Sequence, residues 1–533
     1  MDRKRKNSNN DDPQLMQNTK KSKSIDWNKM VSPSSIRNYM LDDPLIDWLK
    51  YYNIQDVNDV CIIRNKSNNI TFSNNTNTIN NHTDFIMQQG VLFEENVFNI
   101  IIKKHKNYIM IADNGQSRDY LLYEKTLKAM RDGVHIIYQG VLHCYKNNIY
   151  GMPDLLIRSD VMGNIFNCNV VNMKVRAPLL SGSYHYVVVD VKHSTITLNC
   201  NKDYILNTNC VPAYKGQIYM YNMMLQTAQG YMPSCGYILG KKIQYTKQKI
   251  TYINNNYMEC IGVINYKKYD KKIINKVLMA INWVHRMRDK GHTWKLLPRP
   301  SVVELYPNMK HMDNEWKTIK TNLSNELGEI TSVWWCGHSK RMIAHSKKIY
   351  SWHDNRLTAK SMNFNDTKTA HTIDHILDIN RQDDILIRLD DLVNDNTKWR
   401  NFGRDTVEFY LDFETMAKNI GQIPEESMDS DIIFMVGLGW IENNNWMFKN
   451  FIMEDTSDLA ERKMFRLMWE EVDKIKKKLE KKNSIFIHWT PAEVSSYNKF
   501  IKKSGIKNNI NYFDLYKLFI NNNIVAMSSA VTG

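Results

Sequence analysis

The sequence predicts an α/β protein in which mixed sheets are flanked by helices, and three observations predict it. Helical and strand-like segments alternate between residues 90 and 265. A valine-rich run in that region, "YHYVVVDVKHS" (184–194), is typical of a buried strand. A second β-rich unit begins near residue 401, after a helical stretch rich in tryptophan. The 533 residues therefore divide into a disordered basic tail (1–30), a first α/β domain (31–265), a helical linker or guiding region (266–400) and a second α/β domain (401–533).

Composition favours a polyanionic partner and argues against a membrane protein. The formal net charge is +15, which favours nucleic acid, although solubility or codon bias would give the same excess of lysine. No apolar run approaches the roughly 18 residues of a membrane helix, and the charged start does not resemble a signal peptide. The eight cysteines form no Cys-x-x-Cys pair, so we expect reduced thiols inside a cell.

The elements of the first domain follow from their periodicity. Helices are predicted from "SPSSIRNYMLDDPLIDWLKYY", "GVLFEENVFNIIIKKH", "YEKTLKAMRDG" and "AYKGQIYMYNMMLQ". Strands are predicted around a turn at 146–148, in the valine run, and in "CGYILGKKIQY" and "CIGVINY". A polar stretch, "RNKSNNITFSNNTNTINNHTD", is predicted to be a surface insertion.

The second domain is predicted from shorter signals. "TVEFYLDFE" and "SIFIHWT" are predicted strands, and "IIFMVGLGWIENNNWMFKNFIM" is a predicted hairpin. Residues 456–482 are predicted to form a long charged helix.

A carboxylate and an amine end the valine-rich strand. Asp190 and Lys192 share one face of it, because side chains alternate along a strand. Asp154, in "GMPDLLI", also lies near a strand edge. Two carboxylates on adjacent strands would suit Mg²⁺ or Mn²⁺, with the Val191 carbonyl as a further ligand. Lys192 could then orient or deprotonate a water, or neutralise a phosphate. A surface ion pair between Asp190 and Lys192 is the alternative.

These residues carry a family resemblance. "MPD…VVVDVK" resembles the PD-(D/E)XK nucleases, which implies a restriction-endonuclease-like core, a DNA substrate and a divalent cation. "GVLFE" and "GQIYMY" are similar to motifs of the RecB and lambda-exonuclease-like branch. This similarity implies Glu94 as a further metal-shell carboxylate, with Gln217 and Tyr221 near the DNA backbone or the lysine. Solvent exposure of Glu94 and plain packing of the other two remain open.

The N-terminal segment extends the resemblance and limits it. "SPSSIRNYMLDDP" resembles the start of the CRISPR-associated RecB-type exonucleases. Those relatives end this segment in Cys-Pro, whereas this chain has Asp43 before Pro44, so we expect no iron–sulfur cluster. The Asn-rich composition resembles giant-virus proteins, which implies a site of action in the host cytoplasm, or in the nucleus if the basic tail is a signal. A homo-oligomer, a helicase and other defence or recombination proteins are partners that the resemblance allows.

A second acidic pair lies near the end of the sequence. "FYLDFET" puts Asp412 and Glu414 on one strand face and resembles the start of DnaQ-like 3′–5′ exonucleases, which implies an RNase H-like domain. "FIHWTPAEVSSY" resembles the second motif of that family, with Glu493 where aspartate is commoner. The sequence given contains no closing helix with a last acid, so we expect a truncated, inactive module.

Two weaker patterns have ordinary alternatives. His143 lies where some RecB relatives have a motif histidine, but a structural histidine would give the same pattern. Residues 328–354 place lysines and arginines between aromatics, as in DNA-binding units, but a packed helical linker is favoured.

Overall fold

A computed structural model describes most of the chain. The described residues are 25–54, 81–113, 115–166, 168, 173–311, 315–382, 387–388, 402–417, 431–506, 508, 510–522 and 526–527. Residues 1–24 of the predicted basic tail and residues 64–80 of the predicted surface insertion lie outside the described residues.

Within the described residues, nine strands precede the middle of the chain. They are β1 (Tyr108–Met110), β2 (Ile136–Tyr138), β3 (Leu142–Cys144), β4 (Ile149–Gly151), β5 (Leu155–Arg158), β6 (Tyr186–Thr197), β7 (Cys235–Lys247), β8 (Ile250–Asn254) and β9 (Ile261–Asn265). Seven of them form one mixed sheet in the order β1-β2-β5-β6-β7-β8, with β9 also paired to β7. β1 is parallel to β2, and β6 is parallel to β7, whereas the other neighbours are antiparallel. β3 and β4 form a separate hairpin around the predicted turn.

Helices flank this sheet. They are α1 (Arg37–Met40), α2 (Leu45–Tyr51), α3 (Asn81–Lys104), α4 (Tyr120–Arg131), α5 (Ser159–Phe166) and α6 (Val211–Gln229). Short 3₁₀ turns occupy Pro33–Ile36 and Tyr257–Glu259. Pro212 lies in the first turn of α6, where its missing N–H costs no hydrogen bond, and Gly230 ends the helix at φ 73°.

The sheet separates two apolar clusters. Alternate residues of β6 point to opposite faces, so Val188 packs in one cluster and Val187 and Val189 pack in the other. The cluster on the side of α6 also receives apolar residues from beyond the predicted boundary at 265, including Trp283 and Leu323. The boundary itself remains a prediction.

The middle region is helical, as predicted. It contains α7 (Lys271–Lys290), α8 (Lys317–Leu327), α9 (His338–Ser346) and α10 (Lys368–Asn380), with 3₁₀ turns at Gly291–Thr293, Val303–Leu305 and Ile330–Ser332. Residues from 330 to 379 build their own small apolar cluster. Lys310, on the segment before α8, reaches into this part of the chain and donates a hydrogen bond to the Val333 carbonyl.

The second sheet has five strands. Their bounds are β11 (Thr406–Ala417), β12 (Asp431–Glu442), β13 (Asn445–Ile452), β14 (Asn483–His488) and β15 (Tyr512–Asp514), and they lie in the order β13-β12-β11-β14-β15. β11 is antiparallel to β12 and parallel to β14. The helices α11 (Asp458–Lys478) and α12 (Ala492–Ser504) pack on one face. A π-helical turn spans Lys517–Asn522, and the short strands β10 (Ile387–Arg388) and β16 (Ala526–Met527) pair with each other.

An α/β protein with mixed sheets flanked by helices is therefore confirmed. The predicted helices and strands are present within the described residues, and the predicted hairpin is β12 and β13. The sequence patterns did not predict β1, β8, β10, β15 or β16. β8 follows "CGYILGKKIQY" through a turn without glycine or asparagine. In the described part of the chain, no helix is long and apolar enough to cross a bilayer.

Candidate active site

Asp154 and Asp190 lie on neighbouring strands. Asp154 immediately precedes β5, and the antiparallel register pairs Leu155 with Val189, one residue before Asp190. Oδ2 of Asp154 accepts a hydrogen bond of 2.7 Å from the backbone N–H of Val191. The structure therefore brings together two aspartates that are 36 residues apart in the sequence.

The Asp190 carboxylate is fully buried and is paired with Lys192. Its Oδ2 lies 2.6 Å from Nζ of Lys192. The ammonium of Lys192 is the partner of Oδ2, whereas Oδ1 has no hydrogen-bond partner among the described residues. Burial of a carboxylate without hydrogen bonds is costly unless a cation lies beside it. The pair is thus not the exposed surface pair of the alternative.

Helix α6 covers Lys192 from one side. Nζ of Lys192 lies 5.4 Å from the centre of the Tyr214 ring. Seven residues further along the helix, the hydroxyl of Tyr221 donates to the Met152 carbonyl at 3.1 Å and accepts from Nε2 of Gln217 at 3.1 Å. Residues at these spacings share one helix face. Gln217 and Tyr221 therefore lie on the face of α6 that is directed at the carboxylates, with Gln217 held by Tyr221.

Glu94 on α3 approaches from another element. Its Oε1 accepts a hydrogen bond of 3.1 Å from the Gln139 side chain. Burial raises the pKa of Glu94, the hydrogen bond from Gln139 opposes this, and the neighbouring Asp190 charge raises the pKa further. Glu94 is therefore within electrostatic reach of Asp190, rather than freely exposed to solvent.

Gln139 is a site residue that sequence reasoning missed. It follows β2 with φ 48°, in the left-handed region. Its backbone N–H donates to the Asp154 carbonyl at 2.9 Å, while its side chain donates to Glu94. One residue thus fixes two of the predicted carboxylate residues. Its sequence signal is weak: a glutamine between a predicted strand and Gly140.

The charges at this site influence one another. Burial raises the pKa of Asp154 well above its usual range, and Asp190 raises it further. Burial lowers the pKa of the Lys192 ammonium, but Asp190 and Asp154 outweigh burial and raise this pKa above its usual value. Three carboxyl groups thus share one ammonium, and an added cation would relieve their repulsion.

The donor set fits a divalent cation held by few protein ligands. In the ranges that the structure describes, no three His, Cys, Asp or Glu side chains form a ready metal cage. Mg²⁺ keeps several waters and needs only one or two carboxylates, which the buried Asp190 and the adjacent Asp154 supply. Glu94 is engaged by Gln139, and Val191 contributes an N–H to the observed contacts. Ligation by Glu94 or by the Val191 carbonyl remains a prediction.

His143 has the contacts of a structural histidine. Its Nε2 lies 2.9 Å from the Ser117 carbonyl and its Nδ1 lies 3.0 Å from the Tyr145 hydroxyl. The ring stacks on Tyr123, with the ring centres 4.8 Å apart, and is fully buried. Both nitrogens are therefore occupied, which favours the ordinary alternative.

Asp412 and Glu414 lie on the central strand of the second sheet. Both side chains are exposed, whereas Phe413 between them points into the core and contacts Phe465. The pairing of β11 with β12 shifts by one residue directly after Glu414. The two acids therefore share one open face, as the alternation predicts.

Glu493 is held away from solvent in the same domain. It is 8% exposed, and its Oε2 lies 3.3 Å from Nδ1 of His488 at the end of β14. His488 Nδ1 also lies 2.6 Å from the Thr490 carbonyl. The described contacts thus engage Glu493 with His488 and do not join it to the two exposed acids.

The basic, aromatic segment 328–354 is packed. Arg341 is 1% exposed and contacts Glu329 at 3.2 Å. Lys340 donates to the carbonyls of Met362 and Asn363, and Lys347 donates to that of Ser361. These contacts favour the packed linker over a DNA-binding unit.

Asp43 is a buried structural residue. Its Oδ2 lies 2.5 Å from Nζ of Lys320, and its Oδ1 accepts from the Asn308 backbone N–H at 3.2 Å. Burial raises the pKa of Asp43, and Lys320 opposes this. Asp43 thus connects the N-terminal helices to α8.

Comparison with protein-family models and with curated proteins finds no match for this chain. The resemblance therefore depends on the motif residues and on their arrangement alone.

Proposed function

We propose that this protein is a Mg²⁺- or Mn²⁺-dependent deoxyribonuclease. One observation carries the proposal: Asp154 and Asp190 lie side by side on adjacent strands, and Lys192 is paired with the buried Asp190. A carboxylate pair with an adjacent amine suits hydrolysis of a phosphodiester bond.

The order of elements supports the PD-(D/E)XK resemblance. Glu94 lies on the helix before the sheet, Asp154 precedes β5, and the pair Asp190 and Lys192 lies on β6. Gln217 and Tyr221 follow on α6, which packs against β6, and their side chains form a hydrogen bond with each other. This arrangement supports a restriction-endonuclease-like core of the RecB and lambda-exonuclease-like branch, which acts on DNA ends.

Each residue would have a distinct task. A divalent cation bound by Asp154 and Asp190 would supply Lewis acidity at the scissile phosphate. Lys192 places a positive charge beside these carboxylates, where it can neutralise phosphate oxygens or orient a water. Gln139 fixes Glu94 and the Asp154 backbone, and Tyr221 fixes the Met152 carbonyl. The buried strands keep both aspartates in place before DNA binds.

An idle nucleic-acid-binding scaffold is the rival function. A structural ion pair between Asp190 and Lys192 would explain their contact. It would not explain why Asp154 is placed beside them, where burial and Asp190 both raise its pKa. The carboxylate repulsion favours a cation-binding site over a scaffold. Roles in recombination, repair or defence depend on the family resemblance.

For the second domain we propose a structural or DNA-guiding role. Its strand order, with β11 central and β12 antiparallel to it, supports an RNase H-like domain. Its acids do not converge among the described contacts, since Asp412 and Glu414 are exposed and Glu493 contacts His488. A 3′–5′ exonuclease site there is therefore the weaker candidate.

Digestion of end-labelled DNA tests the proposal. Purified protein is incubated with duplex and single-stranded oligonucleotides in Mg²⁺, Mn²⁺ or chelator. We expect products only with a metal ion, and the label at either end reports polarity and endonucleolytic cuts. Metal-dependent cleavage that survives both Asp190→Asn and Lys192→Ala would assign the activity elsewhere.

A further inference from the structure

A β-hairpin extends directly from the candidate active site. β7 pairs with β6 beside the site, where Gly240 lies opposite Lys192. The pairing continues along both strands as far as Gln244, which lies opposite Thr197. β8 then pairs with the outer part of β7, from Ile243 opposite Asn254 to Lys247 opposite Ile250. Tyr245 lies five positions after Gly240, a span of about 17 Å along the strand. The hairpin is thus a continuous extension of the strand next to Asp190.

A stacked pair of tyrosines lies on this hairpin. The rings of Tyr245 and Tyr252 have centres 5.0 Å apart and are 11° from parallel. Nζ of Lys202 lies 4.5 Å from the centre of the Tyr245 ring. Tyr252 is 44% exposed, so its ring offers an open surface beside a cation.

A second pair continues this surface. Tyr204, in the same loop as Lys202, stacks on Tyr269 with ring centres 4.8 Å apart. Nζ of Lys268 lies 4.6 Å from the Tyr269 ring centre. The aromatic rings of both pairs are thus each accompanied by a lysine, and one loop connects them.

A buried ion pair holds this loop in place. Nζ of Lys215 on α6 lies 2.6 Å from Asp270 and donates to the Ile205 carbonyl at 2.6 Å. Both charged side chains are almost fully buried, with exposed fractions of 1% and 3%. These contacts hold the residues next to Tyr204 and Tyr269 in place before any ligand arrives, which lowers the entropy cost of binding at this ring pair.

The formally charged side chains of the hairpin are all positive. Residues 241–254 contain four lysines and no acidic residue. Its turn residues, Gln248 and Lys249, have φ values of 51° and 65°, where asparagine and glycine are the favoured residues. Long polar and basic side chains thus occupy the tip despite their conformational cost, as expected for a contact surface. The nearby acid Asp203 lies beside Lys268.

We propose that the β7–β8 hairpin and the 199–205 loop bind an unpaired nucleic-acid strand that leads to the carboxylates. This inference depends on the proposed nuclease function for the identity of the strand as DNA. Stacking on tyrosine requires unpaired bases, and lysines between the rings contact the phosphates. An acidic protein segment could match the lysines but would not need the stacked rings.

Binding without cleavage tests this proposal. Fluorescence anisotropy in chelator measures the affinity of the full chain for a labelled 20-nucleotide thymidine strand and for a blunt duplex. Tyr252→Ala should weaken single-strand binding about tenfold, because stacking on one aromatic side chain contributes roughly that much. Tyr252→Phe should retain the affinity. The matched control is Ile253→Ala, since Ile253 is 56% exposed on the opposite face of the same strand.

Charge and stacking can be separated. The double substitution Lys247→Gln with Lys249→Gln should weaken single-strand binding and reduce its salt dependence. Tyr252→Ala should leave the salt dependence unchanged and should affect the blunt duplex less than the single strand.

The outcomes distinguish this proposal from the nuclease proposal. Unchanged single-strand affinity in both Tyr252→Ala and the lysine double variant would overturn the hairpin site, while metal-dependent cleavage would still support the nuclease. Equal losses for duplex and single strand would also overturn it, in favour of a backbone contact only. Tyr252-dependent strand binding in a chain that cleaves no DNA would support the hairpin site and refute the nuclease.

Discussion

Asp190 and Asp412 occupy comparable places in two sheets. Each lies on a strand paired on both sides, and each is followed two residues later by a charged side chain on the same face. Asp190 is fully buried, and its partner is the ammonium of Lys192 at 2.6 Å. Asp412 is exposed, and the residue two positions on is a second acid, Glu414. The buried aspartate thus has a positively charged neighbour on its strand face, and the exposed aspartate has a negatively charged one.

This contrast indicates which environment, buried or exposed, suits the aspartate of an Asp-x-Lys pattern and that of an Asp-x-Glu pattern. A lysine beside a carboxylate offsets part of the cost of burial, so the pair can lie inside a sheet with other acids around it. Two acids on one strand face repel each other, so without a cation they are tolerated in water. The contacts of Asp190 with Lys192 and of Asp154 with Val191 therefore hold the first group of charges in place. Among the described residues, no hydrogen bond or ion pair of comparable kind holds the side chains of Asp412 and Glu414.

The largest effect on cleavage is expected from substitutions in the first site. Asp190→Asn and Lys192→Ala should each lower metal-dependent cleavage by at least about 100-fold, because each removes charge stabilisation in a buried site. End-labelled digestion measures the loss, and circular dichroism checks that both variants remain folded. Cleavage at more than a tenth of the wild-type rate in folded Asp190→Asn would show that this carboxylate has no catalytic role.

A smaller effect is expected at the α6 face. Tyr221→Phe removes the hydroxyl that donates to the Met152 carbonyl and accepts from Gln217. We expect a loss of about 1 kcal/mol in the free energy of unfolding, together with a reduced cleavage rate. Urea unfolding and single-turnover cleavage measure these quantities. An unchanged stability would indicate that the hydroxyl contacts contribute nothing.

The pH dependence of the free energy of unfolding should differ between the first site and the exposed acids of the second sheet. The pKa of Glu94 is raised in the folded protein, so its stabilising effect is present at low pH and is lost as pH rises through the folded pKa. In chelator, Glu94→Gln should therefore be more stable than wild type at pH 8, and this difference should shrink as the pH is lowered toward 4. The control Glu414→Gln, at an exposed site, should follow wild type across this range. A Glu94→Gln variant less stable at pH 8 than wild type would contradict the role of carboxylate repulsion.

The smallest effect is expected at the second pair. Asp412→Asn should leave cleavage within about twofold, and stability within about 0.5 kcal/mol, because the side chain is exposed. The same digestion and unfolding measurements apply. Loss of a 3′–5′ activity in Asp412→Asn that Asp190→Asn retains would instead assign catalysis to the second sheet.

The sequence predicted the relative placement of Asp154, Asp190 and Lys192, because residue chemistry and strand periodicity agree there. Alternation put Asp190 and Lys192 on one face, and adjacent strands put Asp154 beside them. Gln139 was missed because its role depends on a left-handed backbone conformation that a non-glycine residue rarely signals. Tyr214 was missed because a helical tyrosine gives the same pattern whether it packs in a core or beside a lysine.

The remaining differences concern long-range packing. The β8 strand was missed because Gln248 and Lys249 replace the residues favoured in a two-residue hairpin turn. The periodicity of α7 identifies its apolar face but does not show which core that face packs against. The sequence therefore did not predict that Trp283 belongs to the apolar cluster on the α6 side of the first sheet.

Direct titration of Mn²⁺ into the metal-free protein, without DNA, is the most direct test of a cation site at Asp154 and Asp190. Loss of the free-ion signal in electron paramagnetic resonance measures binding separately from cleavage. We expect a saturable site in the wild type and in Asp412→Asn, and a large loss of affinity in Asp190→Asn. Wild-type affinity in Asp190→Asn, or its loss in Asp412→Asn, would contradict the placement of the metal site at the first pair.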